Sequence, residues 1–322
     1  MRRSAGVSWF RPLLPIVVLA VSHAPAWAQD SPAAEPVQLD DVVVQGSLSG
    51  IPLREQVATF VDSVTAPPPG RGPARWHDLA GVCVGVVNLR RDAAQAMADR
   101  VSEVAVMLDL PVGEPGCSPN VVIIATDDAP ALARALVERS PNAFRPRYAG
   151  AAGSARQLER FVTTDRPVRW WHVAMPVTAA SGVPISRLPG SDPTDPPRIR
   201  GEGLLNTLIR NELRRAYVII DINQVDHLTL RQLSDYVAMA AFAQIDPDAE
   251  VGSFSTILNV VADPAGAQEM TDWDRAYLAG LYGSELRQRR PDAQLGDVAG
   301  IMLRDRRRAG EAEAETPEPD GD

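Results

Sequence analysis

The sequence predicts an α/β or α+β fold, with one mixed sheet, packed helices and a mainly helical C-terminal part. Three observations carry this. Residues 120–126, NVVIIAT, and 217–222, YVIIDI, are short continuous apolar runs of strand length, the mark of strands covered on both faces. Before and between them, apolar residues recur at helical spacing. Beyond Thr229 the helical pattern runs almost to the end of the chain.

At the start, Met1-Arg2-Arg3 is a short basic region, and residues 13–21, LLPIVVLAV, are apolar. Ala26-Trp27-Ala28 is a small-x-small cleavage site followed by Gln29. Charge, apolar core and cleavage site stand in the order of a secretory signal peptide over residues 1–28. The apolar run is shorter than the roughly 20 residues that span a bilayer, so no transmembrane segment is expected after cleavage. The expected location is periplasmic or secreted. Residues 29–75 read as a flexible leader and linker containing one helix-like apolar patch, REQVATFVDSV, before PPPGRGP. The globular part is expected over 76–304, and 305–322 as a disordered acidic tail.

Within the globular part, Met97, Val101, Val104, Ala105 and Leu108 mark a helix that Asp92 is placed to cap. NVVIIAT follows as a strand. Asp128-Ala129-Pro130 then opens another helix, with an acid at the cap and Pro in the first turn. Residues 168–175, VRWWHVAM, read as a strand, and 182–200 as a long loop rich in Pro and Gly. Leu204, Leu205, Leu208 and Ile209 are spaced as a helix face, before the strand YVIIDI. Thr229 starts the next helix, and Thr271 with Asp274 fits a capping box for another. The last helix includes Val298, Ile301 and Met302, with Arg304 to Arg308 at its end.

The net charge is −9; loss of residues 1–28 removes Arg2, Arg3 and Arg11 and no acid, leaving −12. All 32 basic residues are Arg. So negative a chain argues against nucleic acid as a partner, because that binding rests on neutralising phosphates. In an exported chain, two cysteines, Cys83 and Cys117, imply a bridge. A loop of about 35 residues is worth roughly 3.5–4 kcal/mol by chain entropy. Neither thiol has the Cys-x-x-Cys spacing or the neighbouring base of a reactive one.

Catalytic signatures are sparse. No Gly-x-Ser-x-Gly elbow follows an apolar strand, and neither a Gly-x-Gly-x-x-Gly nor a phosphate loop occurs. His77, His172 and His227 lie in separate segments, so no pair at i, i+4 is available to hold zinc. His172, beside Trp170 and Trp171, reads as packed, and His227 as part of a helix start. Asp127-Asp128 closes a strand where α/β folds place ligand groups, and equally caps a helix. One candidate cluster for an acid–base site is Asp127, Asp128 and Asp221 around His172. No catalytic residue, metal ligand or cofactor is assigned.

Two resemblances add to this. Residues 39–46, LDDVVVQG, resemble the segment that opens many TonB-dependent outer-membrane receptors, where a partner recruits it as an added strand. More of the chain is similar to envelope proteins of Gram-negative bacteria with a zincin-metallopeptidase-like layout. The similarity lies in Arg75-Trp76-His77-Asp78 with Val82-Cys83, in Gly116-Cys117-Ser118-Pro119-Asn120 through Asp128, and in Trp273 to Tyr282. It implies a degenerate zincin-like fold without zinc. The helix that would bear the His-Glu-x-x-His motif reads Ser234-Asp235-Tyr236-Val237-Ala238-Met239. The function expected first is an exported soluble domain with a non-catalytic binding or envelope-assembly role and an envelope protein partner. The alternatives are a hydrolase built on the carboxylate/His cluster, and an accessory of a TonB-type receptor.

Cleavage after Ala28 is a direct consequence. The intact mass of the exported protein is expected to correspond to a chain beginning at Gln29; a form that retains Met1 would contradict the signal-peptide reading.

Overall fold

The computed structural model describes residues 48, 50–67, 72–77, 81–146, 153–185, 207–285 and 290–315. The signal peptide, LDDVVVQG, and Leu204 and Leu205 lie outside them.

Four strands form one mixed sheet in the order β1-β2-β4-β3. They are β1 (Val84–Val87), β2 (Val121–Thr126), β3 (Val168–Thr178) and β4 (Ile209–Asp221). β2 pairs in parallel with both β1 and β4, whereas β3 runs antiparallel to β4 and forms one edge. Alternate β4 residues go to opposite layers. Leu213, Ala216, Val218 and Ile220 join the larger core cluster, while Tyr217 and Ile219 join the smaller one. Both runs read as doubly covered strands are therefore covered on both faces.

The larger layer holds α1 (Leu53–Val64), α2 (Arg91–Met107), α6 (Leu230–Phe242), α7 (Asp272–Gly283) and α8 (Pro291–Glu315). The smaller holds α3 (Ala129–Arg139), α4 (Pro141–Phe144) and α5 (Ala155–Thr163). α6 is the central helix of the larger layer. Every residue from Val237 to Phe242 is buried, as befits a helix apolar all round. Gly280 lets α7 approach α8. A Cβ there would stand 2.7 Å from the carbonyl oxygen of Val298.

Several boundaries differ from the sequence expectations. The folded part begins well before residue 76. Val57, Phe60, Val61 and Val64 of α1 are spaced i, i+3, i+4, i+7 and are buried, and Phe60 packs against Phe254, Trp273 and Tyr277. At the other end, α8 continues to Glu315, so residues 305–315 are helical rather than a disordered tail. Ile209 opens β4 instead of lying on a helix face. β1 was not anticipated. Arg90, not Asp92, occupies the cap position of α2. Asp128, Thr229 and Thr271 do cap α3, α6 and α7.

Arg75, Trp76 and Tyr282 tie the segment before β1 to α6 and α7. Trp76 Nε1 donates to the Ala241 carbonyl at 2.9 Å, and Tyr282 Oη donates to the Phe242 carbonyl at 2.9 Å. Arg75 donates to the carbonyls of Leu281 and Tyr282 and lies over the Tyr282 ring. Two buried carboxylates brace the same layer. Asp274 accepts from the amides of Ile257 and Thr271 and from the hydroxyls of Thr256 and Thr271. Burial pushes its carboxyl up, and those four hydrogen bonds oppose the shift. Asp235 accepts from Arg100 and from the Met270 amide at 2.7 Å, with Arg231 Nε at 3.5 Å.

Cys83 and Cys117 are joined, with Cα atoms 6.1 Å apart and a sequence separation of 34. Asn120 ties the same corner, accepting from the Cys83 amide at 2.8 Å and donating to the Gly81 carbonyl at 3.0 Å. Replacing both cysteines with Ser is expected to lower stability by about 2–4 kcal/mol, the usual range for a bridge closing a loop of this length. Urea unfolding measures it; an unchanged midpoint would show the bridge to be dispensable.

Candidate functional site

The sheet fixes where each candidate side chain lies. Cross-strand partners share a face, and successive residues alternate between faces. Arg169 pairs with Ile219, and Trp171 with Tyr217, on the α3–α5 side. Trp170 pairs with Val218, and His172 with Ala216, on the α6 side.

Three of the four candidate residues meet at the end of β2 and β4. Asp221 pairs in register with Thr126, so it stands beside Asp127 and Asp128. Its two carboxylate oxygens accept from the Asn223 amide at 3.1 Å and from Gln224 Nε2 at 3.3 Å. Asn223 Nδ2 donates to the Asp127 carbonyl at 3.1 Å. Asp128 accepts from the Ala131 amide at 2.9 Å as the cap of α3. These carboxylates organise turns and a helix start. His172 does not join them. Its partner Ala216 is five positions before Asp221, roughly 16 Å along the strand, and an odd separation places the two on opposite faces. No acid–base cluster of His172 with Asp127, Asp128 and Asp221 is formed.

Asp235 and Met239 are both fully buried, Asp235 against arginine. His227 bonds through Nε2 to the Val261 carbonyl at 3.1 Å. Among the described residues, no three His, Cys, Asp or Glu side chains gather as a metal site.

A different site lies along the outer edge of β3. A pocket of about 130 Å³ opens there between α5 and the segment 244–247. That segment is anchored by an exchange of hydrogen bonds, Ala66 amide to Gln244 carbonyl at 2.8 Å and Asp246 amide to Val64 carbonyl at 2.7 Å. Indole donors fix the walls. Trp170 Nε1 donates to the Ile245 carbonyl at 3.2 Å, and Trp171 Nε1 to the Phe144 carbonyl at 2.8 Å. Phe161 of α5 packs against Trp171, with ring centroids 5.9 Å apart.

Arg160, Arg166 and Arg169 share the polar lining with Gln157, His172, Gln244 and Asp246. Arg160 and Arg166 both pair with Asp248, and Arg166 also donates to the Pro247 carbonyl. Arg169 is only 2% exposed. Its Nη1 donates to the carbonyls of Phe161 at 2.7 Å and Val162 at 3.3 Å, near the end of α5. Its Nε and Nη2 are buried and have no partner, and so is His172 Nε2. Desolvation lowers the Arg169 pKa, and the charges of Asp165 and Asp221 act against that.

Burial pushes the His172 imidazole down to about 4, opposed weakly by the backbone of Ala240. The ring is therefore neutral at pH 7. The sequence missed this site, yet it held a signal. Arg169 is a charge inside VRWWHVAM, a strand otherwise built to be buried, and such local conflicts mark functional positions.

Comparison with protein-family models, curated proteins and solved structures finds no match to this chain.

The His172 shift sets a pH dependence. An unfolded His takes up its proton near pH 6.5, whereas the folded one waits until about 4. The unfolded chain thus binds more protons in that window, and stability falls as pH drops through it, by at most about 3 kcal/mol. Above pH 6.5 this contribution is complete. His172→Leu is expected to flatten the stability profile between pH 6.5 and 4, as read by urea unfolding; a profile as steep as wild type would assign the acid sensitivity elsewhere.

Proposed function

We propose that this chain is an exported binding domain, without a catalytic step of its own, that docks an envelope protein partner at the pocket beside β3. The observation that carries the reading is the pair of buried donors on Arg169, Nε and Nη2, which have no partner although the residue lines the pocket. A buried polar group without a partner costs about 1–3 kcal/mol, so native chains rarely keep several together. A ligand that supplies the missing partners removes that cost on binding.

Export is supported by the signal-peptide pattern of residues 1–28 and by the Cys83–Cys117 bridge. No helix among the described residues is long and apolar enough to cross a membrane. A binding role is favoured over hydrolysis because Asp128 and Asp221 are engaged in capping and turn bonds, while His172 faces the other side of the sheet.

A photo-crosslinking residue in place of Arg160, at the pocket rim, is expected to capture one envelope protein in intact cells. The same residue in place of Gln95, on exposed α2, is expected to capture none. Equal adducts at both positions, or none at either, would remove the pocket from consideration as the docking site.

A further inference from the structure

We propose that the pocket beside β3 recognises a carboxylate, held side-on by Nε and Nη2 of Arg169. This rests on the docking role given to that pocket above and adds the chemistry of the group it takes.

The guanidinium offers donors along three edges, and the Nε–Nη2 edge presents two parallel N–H groups to a planar carboxylate. In Arg169 those two donors are the ones left without a partner, while Nη1 is held by the carbonyls of Phe161 and Val162. The side chain is thus clamped at one corner and buried but unmatched along the edge that fits a carboxylate. At 2% exposed it has little water to turn to. The neighbouring arginines are already engaged, since Arg160 and Arg166 share Asp248. Arg169 itself is in the longer-range field of Asp165, Asp221 and Asp128.

Charge and size narrow the ligand further. Asp246 lines the same pocket, and Asp165, Asp221 and Asp128 lie close enough to act on Arg169. That field tolerates a single negative charge better than a phosphate dianion. A volume of about 130 Å³ corresponds to roughly four waters, enough for a carboxylate with a few carbons. Trp170, Trp171, Phe161 and Ile245 supply apolar surface for those carbons. A free short-chain acid and the C-terminal carboxylate of a protein chain share this chemistry.

The test uses the full mature protein. Arginine side-chain nitrogen NMR is followed during titration with propionate, with its neutral counterpart propionamide, and with N-acetyl-alanyl-alanine as free acid and as amide. The Arg169 Nε–H resonance is expected to move saturably with the two acids and not with the neutral compounds. Arg169→Gln is expected to weaken the binding of either acid by tenfold or more, the scale of a lost charge-assisted pair. Should that variant fail to fold, the wild-type resonance still decides. Tighter binding of the acetylated dipeptide than of propionate identifies a chain terminus as the source, and the reverse a free acid. An Arg169 resonance that stays fixed, or moves equally with propionamide, overturns the carboxylate proposal. If the Arg160 crosslinker still captures a partner in that case, the pocket remains a docking site and only the carboxylate is withdrawn.

Discussion

The structure depends on one constraint, that β4 must be covered on both faces. β4 is the longest strand and lies inside the sheet, between β2 and β3. Ala216 to Ile220 are all buried, so neither face tolerates water. A strand of this kind requires a helix layer on each side. The larger layer is assembled from segments that begin at Leu53 and end near Met302. The smaller one is supplied by α3, α4 and α5, between β2 and β3. β3 returns antiparallel along β4 and ends the sheet, and its outer edge becomes a wall of the pocket. The candidate site is therefore a by-product of where the sheet stops.

The larger layer is held as much by placed polar groups as by apolar area. Asp274 is completely buried, yet its oxygens accept four hydrogen bonds, two from Thr271 that cap α7 and two from Thr256 and Ile257 that join α7 to the turn at Ile257–Asn259. Asp235 links α6 to α2 through Arg100 and to the start of α7 through the Met270 amide. Such groups are costly alone and specific once satisfied, because no other arrangement of the helices satisfies them all. Arg169 in the smaller layer differs, since two of its donors remain unmatched.

Much of this was legible in the sequence, and the parts that were not have physical reasons. NVVIIAT and YVIIDI announced buried strands, and Asp128, Thr229 and Thr271 announced helix starts by side-chain chemistry that acts within three residues. The first half of β4, IRNELRR, reads as polar, and pairing along the strand is what lets Glu212 be buried, with Arg210 at 2.6 Å and Arg214 at 2.8 Å. β1 has only four residues, one of them glycine, and lacks the length to show a period. Residues 52–64 showed an apolar patch, but not that Phe60 would meet Trp273 and Tyr277, because that contact is made far along the chain. The carboxylates of the expected acid–base cluster were placed at the correct sheet end. His172 was misjoined to them because strand register, which decides the face, is set by pairing with β4.

The meeting of the two chain ends has a consequence for biogenesis. Thr65 and Tyr277 share a hydrogen bond at 2.9 Å across 212 residues, and Trp76 is gripped by α6 and Tyr282. A chain made from its N-terminus must therefore hold α1 and the Trp76 segment exposed until nearly all of it has emerged. The β1–α2–β2 portion can form its ladder and close its disulfide early, but its apolar underside waits for α6. Contacts this distant slow folding and lengthen the interval in which apolar faces are open to chaperones and proteases. The yield of folded protein is then governed by how well that interval is guarded, rather than by the stability of the finished molecule.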